Sequence, residues 1–316
     1  MNDLPAPLRW AAMAWAFAFG AVVGSFLNVV VARVPAGESV VHPRSRCPSC
    51  RTPIAWFDNV PVLSWILLGG RCRTCRTRIS FRYPLVEILA GVLALVAVHR
   101  HGLSAAALAE FGFAATLLAL TFIDLDTWLL PHVITVPLLV AGVGLSFLGL
   151  TAASSGLSSL AGAAAGWLAF AAVSVIGEKV LKKEALGFGD VWLLGGIGAW
   201  TGASGLLPVV LLASIQGTVV GLALIALGRS EPGPPEPVTP DPVDGVIPPT
   251  VDPSPVAEAP APAAVESPAP PGDPDADWIP PRNAVPFGPF LAAGALEWLW
   301  LQGWLSELVP ALSIFR

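Results

Sequence analysis

The sequence predicts an all-α polytopic membrane protein, with about eight transmembrane helices and one small cytoplasmic zinc-ribbon-like domain. Three observations carry that expectation. Of 316 residues, 54% are hydrophobic and 12% charged, against about a quarter charged in an ordinary soluble domain. Apolar runs of about 20 residues, long enough to cross a bilayer, recur along the chain. All four cysteines fall in one arginine-rich loop, as two C-x-x-C pairs. The first two observations exclude a typical soluble enzyme, and continuous rather than alternating apolar runs exclude a transmembrane β-barrel. A net charge of −5 argues against a nucleic-acid partner.

The expected spans are residues 10–31, 84–98, 104–123, 133–150, 157–176, 191–200, 206–227 and 287–309. The second and the glycine-rich sixth fall short of a full crossing, so they are expected to tilt, extend or be buried at depth. The first run has no cationic segment before it and reads as a retained anchor, not a cleaved signal. Lysine and arginine set the orientation. With eight alternating spans, residues 33–82, the 179–183 loop and the segment bounded by Arg229 and Arg282 share a side. That side holds 14 of the 17 basic residues and is expected to be cytoplasmic. The expected arrangement is therefore multi-pass, with the lipid bilayer as constant partner.

The domain plan follows: residues 1–32 form a first helix and 33–83 a cytoplasmic four-cysteine domain. Residues 84–228 form a helical core, 229–285 an acidic insert and 286–316 a last helix. The insert stands apart in composition. Residues 231–281 carry ten acids, no bases and 18 of the 32 prolines. Without them the remaining charge is −5 + 10 = +5. Such a segment reads as a disordered spacer.

The pairs Cys47-Pro48-Ser49-Cys50 and Cys72-Arg73-Thr74-Cys75 have the spacing of a zinc ribbon, slightly long in the spacer. Four thiolates fill a tetrahedral sphere, which makes such a site structural. Disulfides do not suit a cytoplasmic loop, and a redox C-x-x-C needs only one pair in a thioredoxin-like context. A loop this polar builds little core, so a metal would supply its folding energy.

Ionisable residues at membrane depth default to a functional reading. Asp124, in Ile123-Asp124-Leu125-Asp126, closes the third span, and Asp190, in Gly187-Phe188-Gly189-Asp190, opens the sixth. The expected topology puts both at one depth. Two neighbouring carboxylates share a proton, and the pair can then act as base on water and as acid on a carbonyl. Gly187 and Gly189 would let a substrate backbone approach, and Asp126 is a supporting candidate. The bland alternative is an N-cap for Asp190 and a helix-ending turn at Asp124 and Asp126.

The chain resembles the type IV prepilin leader peptidase family over nearly its whole length. The resemblance rests on Gly24-Ser25-Phe26-Leu27-Asn28 with Arg33-Val34-Pro35, and on the cysteine loop. It also rests on Asn59-Val60-Pro61-Val62-Leu63-Ser64-Trp65, on Arg82-Tyr83-Pro84-Leu85-Val86-Glu87 and on Asp124 with the G-x-G-D of residues 187–190. Pro286-Phe287-Gly288-Pro289-Phe290 completes it. It implies an aspartic endopeptidase that removes a short leader from type IV pilin-like and pseudopilin precursors at the cytoplasmic face. It also implies N-methylation of the new N-terminal residue, usually phenylalanine, with S-adenosylmethionine as donor. The resemblance further implies the inner (plasma) membrane of a bacterial cell, and it leaves type IV pili, type II secretion and DNA uptake open as the process served. Two positions depart from the family pattern: Trp192 stands where lysine is frequent, and His132 where Asp or Asn often follows the Leu-Pro.

No nucleotide-binding glycine loop marks a methyl-donor pocket. Asn28, Arg33 and Glu87 are candidates, as polar groups at the cytoplasmic ends of spans one and two. Their alternative is capping or interface anchoring. The competing functions are a peptidase without methylation, a non-catalytic zinc-ribbon assembly factor, and a secondary transporter. No inverted repeat supports the last.

Overall fold

Each apolar run winds into a helix because a helix alone satisfies its own backbone in lipid. In the computed structural model, residues 5–181, 187–227 and 285–308 are described. The acidic insert, residues 229–284, lies outside them, as do Lys182, Lys183 and the last eight residues. The helices are α1 (Ala6–Arg33), α2 (Leu63–Leu67), α3 (Arg82–His101), α4 (Ala105–Thr127) and α5 (His132–Ser146). They continue as α6 (Gly156–Leu181), α7 (Phe188–Thr201), α8 (Ala203–Ala226) and α9 (Gly288–Leu308). Among the described residues no β-strand forms; two isolated bridges, Arg46 with Pro53 and Arg71 with Arg78, occur in the cysteine loop.

A helix coincides with each of the eight expected spans, but among the described residues length and apolarity mark five as able to cross a membrane: α1, α3, α4, α6 and α8. At 15 residues α5 is apolar but shorter, and α7 has only 14. The physical reason lies in burial. Val191 and residues 193–201 of α7 are all buried, so neighbouring helices, not lipid, satisfy its surroundings.

Two apolar clusters build the core. One surrounds α7 with Phe113, Leu117, Leu120, Leu194, Ile197 and Leu291. The other joins α1, α3 and α4 through Leu27, Val86, Phe111 and Ile123. Helix α4 contributes to both. Small residues bring the helices close: Gly20 and Gly24 of α1 lie against Ala90 and Glu87 of α3, and Gly162 of α6 against Gly198 of α7.

Near the start of α4, buried Glu110 gathers partners from two other helices, α3 and α9. It is 2.6 Å from His101 Nε2 and 3.3 Å from Arg100 Nε. It also accepts from Trp300 Nε1 of α9 at 3.0 Å, while Arg100 donates to the carbonyl of Leu299 at 3.0 Å. The last helix is thereby pinned to α3 and α4 at the end remote from Asp124.

Candidate active site and metal site

Asp124 lies one turn before the end of α4, which stops when Trp128 adopts a left-handed conformation and its N–H bonds the Asp124 carbonyl at 2.9 Å. The side chain of Asp124 is buried, 5% exposed. Asp190 occupies the third position of α7. The N-cap of α7 is Gly187, so the capping role considered for Asp190 falls to another residue. One oxygen of each carboxyl group, Asp124 Oδ2 and Asp190 Oδ1, is buried without a hydrogen-bond partner among the described residues. Buried, unpaired acid oxygens are costly in a structural role and are what a water or carbonyl would meet in a reactive one.

Leu130, in the link from α4 to α5, holds the site's geometry. A side chain added at Gly189 would meet Leu130 Cβ at 2.7 Å, and one at Gly288 would meet Leu130 Cδ1 at 3.3 Å. Leu130 is therefore wedged between α7 and α9. The missing side chain of Gly189 makes room for Leu130. Gly187 stays open, with only ordinary contact to Asp190 Oδ2 at 3.7 Å. Gly288 lies directly against Asp124, where any side chain would collide with Oδ2. The sequence had marked residues 286–290 only as a helix start. The Pro-Phe-Gly-Pro-Phe run was the signal available.

Asp126 is not with this pair. It is solvent-exposed and ion-paired to Arg82 at 2.7 Å, and Arg82 also stacks over the Phe122 ring at 4.9 Å. The two departures from the family pattern touch each other: His132 and Trp192 have ring centroids 5.9 Å apart, and His132 also stacks on Phe188 at 6.0 Å. A pair of positions often polar in the family is here an aromatic cluster beside Asp190.

The cysteine loop folds as two copies of one knuckle. Arg46-Cys47-Pro48-Ser49-Cys50-Arg51-Thr52 and Arg71-Cys72-Arg73-Thr74-Cys75-Arg76-Thr77 have the pattern R-C-x-[S/T]-C-R-T. In each, the first cysteine N–H bonds the threonine carbonyl, at 3.0 Å and 2.9 Å. The arginine after the second cysteine has positive φ, 57° at Arg51 and 60° at Arg76. This repeat escaped the reading of the sequence, although the spacing of cysteines was seen. All four Sγ atoms lie within 4.8 Å of one another, with Cys47 and Cys75 at 3.7 Å and Cys50 and Cys72 at 4.0 Å. A tetrahedral zinc with bonds of about 2.3 Å separates its sulfurs by about 3.8 Å. The set fits such an ion. Contact with the Thr77 hydroxyl and backbone lowers the Cys75 thiol to about 6, which favours the thiolate a metal requires.

Between this module and the ends of α1 and α3 lies a cavity of about 640 Å³. Asn28, Arg33 and Glu87 all line it, with Ser25, Asp58 and Trp65. Asn28 ties α1 to α3, while Arg33 and Glu87 tie helix to loop. Asn28 Nδ2 donates to the Tyr83 carbonyl at 3.1 Å, Arg33 to the carbonyls of Ser39 and Pro43, and Glu87 accepts from Val62 N–H at 2.7 Å. Bound in front by Arg73, Asp58 has its carboxyl held below the usual range.

Several helices of membrane-crossing length and a four-thiol module define the class as a polytopic helical membrane protein. Comparison with known proteins gives the family. Residues 18–101 match the bacterial peptidase A24 N-terminal domain, and residues 111–222 match the type IV leader peptidase family. A prepilin leader peptidase/N-methyltransferase of Myxococcus xanthus is 42% identical over 93% of this chain and 92% of its own length. One of Burkholderia pseudomallei is 40% identical over 69% of this chain and 78% of its own. One of Neisseria gonorrhoeae is 36% identical over 72% and 88%. The chain belongs to the type IV leader peptidase family. No solved structure matches it.

Proposed function

We propose that this protein is a membrane aspartic endopeptidase that removes the leader of type IV prepilin-like precursors and N-methylates the exposed N-terminal residue. The observation that supports the peptidase reading is that Asp124 and Asp190, on helices brought together around Leu130, each keep a buried carboxyl oxygen without a hydrogen-bond partner among the described residues. In this reading one carboxylate takes a proton from water while its protonated partner polarises the scissile carbonyl. The proton then passes to the leaving amine. Gly187 and Leu130 position the Asp190 turn, and Gly288 seats Asp124.

The methyltransferase reading takes the 640 Å³ cavity as the donor site. A carboxylate, an amide and a hydroxyl, from Glu87, Asn28 and Ser25, suit the cationic and hydrogen-bonding groups of S-adenosylmethionine, which supplies an electrophilic methyl group. Cys47, Cys50, Cys72 and Cys75 hold a structural zinc that fixes the module forming the cavity wall.

The proposed organisation is the one expected from the sequence: a first helix (1–32), a metal module (33–83), a helical core (84–228), a spacer (229–285) and a last helix (286–316). Eight passages through the inner membrane, counting the short buried α5 and α7, set the module and both aspartates on the cytoplasmic side. Pilin-like and pseudopilin precursors are the substrates. The test is incubation of a pilin-like precursor with membranes carrying the protein, read by mass spectrometry. Leader loss, with one added methyl when S-adenosylmethionine is supplied, is the expected result. An intact precursor with correctly inserted protein overturns the reading.

A further inference from the structure

Helix α2 presents an apolar face that nothing in the described chain covers. Leu63, Ile66 and Leu67 are 59%, 60% and 84% exposed and share one side of the helix by their spacing. The other side is fixed in place. Ser64 Oγ donates to the Phe57 carbonyl at 3.0 Å, and Trp65 Nε1 donates to the Ile79 carbonyl at 3.1 Å. Ser64, Trp65 and Leu68 line the cavity, so α2 is a wall with the cavity on one side and its leucines on the other.

Its depth is set by one bond. The Val62 N–H at the start of α2 donates to Glu87 at 2.7 Å. Glu87 lies 87 − 82 = 5 residues inside α3, about 7.5 Å at the helical rise. Surface-lying amphipathic helices seat their apolar face about 5–10 Å into the headgroup and acyl boundary. The charge around α2 matches an anionic surface. Residues 33–82 hold nine arginines against Glu38 and Asp58, a net of +7. Arg73 and Arg82 are ion-paired and Arg33 bonds loop carbonyls. The other six make no ion pair among the described residues, leaving them for headgroup phosphates. The face is also continuous in kind with the lipid-facing residues of its neighbours, such as Phe26 on α1 and Leu89 on α3, both exposed.

We infer that the apolar face of α2 is seated in the membrane where α1 and α3 emerge, making the four-cysteine module a membrane-surface element. The inference rests on the reading that α1 and α3 cross the bilayer. One wall of the cavity then borders lipid, and a substrate helix held in the bilayer would reach the cavity without leaving the membrane plane.

The experiment uses the full chain in vesicles of phosphatidylcholine and phosphatidylglycerol with a trace of phospholipid carrying a photoreactive diazirine in its tail. After irradiation, peptides are mapped by mass spectrometry. Lipid adducts are expected on residues 56–68 as well as on α1 and α3, and none on the knuckle residues 47–52. Labelled α1 and α3 with residues 56–68 more than about tenfold weaker, or cross-linked to a second copy instead, overturns the inference. Unlabelled α1 and α3 overturns the spanning reading and this inference with it. Combining Leu63→Ser, Ile66→Ser and Leu67→Ser should lower adducts on residues 56–62 at least about fivefold. Retained precursor cleavage in that variant shows a folded chain, and undiminished adducts there also overturn the inference. If the variant does not fold, labelling of the unaltered chain decides.

Discussion

The four cysteines and the two aspartates are both small constellations of reactive side chains, but they are assembled in opposite ways. The cysteines come from a seven-residue pattern used twice, and each knuckle is closed by its own backbone hydrogen bonds. The aspartates are 66 residues apart in sequence, and the helices that carry them, α4 and α7, come together with α9 around Leu130. A local site tolerates change elsewhere in the fold; a site made by packing does not. Substitutions can break or sharpen that contrast.

The largest effect is expected at the acids. Asp124→Asn or Asp190→Asn should each lower precursor cleavage by at least about 10²-fold, because the proton exchange that acid-base groups supply is lost while shape is kept. Zinc content and membrane insertion should stay unchanged, as measured by metal analysis and membrane fractionation. Next comes Gly288→Val, which puts a branched side chain against Asp124 and Leu130. A displacement of about 1 Å costs about 10²-fold in rate, so cleavage should fall by about that factor with metal content intact. A rate within twofold of the unaltered protein would show that α9 does not set the Asp124 geometry.

The local site should behave differently. Cys50→Ser or Cys72→Ser should abolish zinc retention and N-methylation but lower cleavage less than about tenfold, since four ligands are needed for the metal and neither aspartate touches the module. Metal analysis alongside product mass spectrometry separates these outcomes. Deleting residues 233–276 should also leave cleavage within about tenfold, because loop-closure cost changes slowly with length. The smallest effect is expected for Asp126→Asn. Its exposed pair with Arg82 is worth about 0–1 kcal/mol, so cleavage rates in membranes should be nearly unchanged. An inactive Asp126→Asn beside an active Asp124→Asn would reverse the assignment of the acid pair.

The same contrast governs what could be read in advance. Apolar runs marked the helices well: the expected 104–123 is α4, Ala105–Thr127, and the expected 206–227 is α8, Ala203–Ala226. Crossing length was less legible, because α7 is short yet buried by neighbours that only the folded chain supplies. Cysteine spacing announced a metal site, since its geometry is local. The close approach of Gly189 to Leu130 was not legible, because Leu130 is distant in sequence. Gly288 went unassigned for the same reason, its relation to Asp124 crossing 164 positions. Helix α2 went unseen inside a loop, being too short to show a period.

Helix α9 follows the acidic insert yet is gripped at its start and again past its middle by parts of the chain made long before it. Gly288 abuts Asp124, and Glu110 and Arg100 hold Trp300 and Leu299. Covalent continuity through the insert therefore adds little to holding it. The protein is, in effect, two interlocking pieces that happen to be translated as one. A chain severed within the insert would keep its last helix as a docked subunit, and the active site would remain whole across the break.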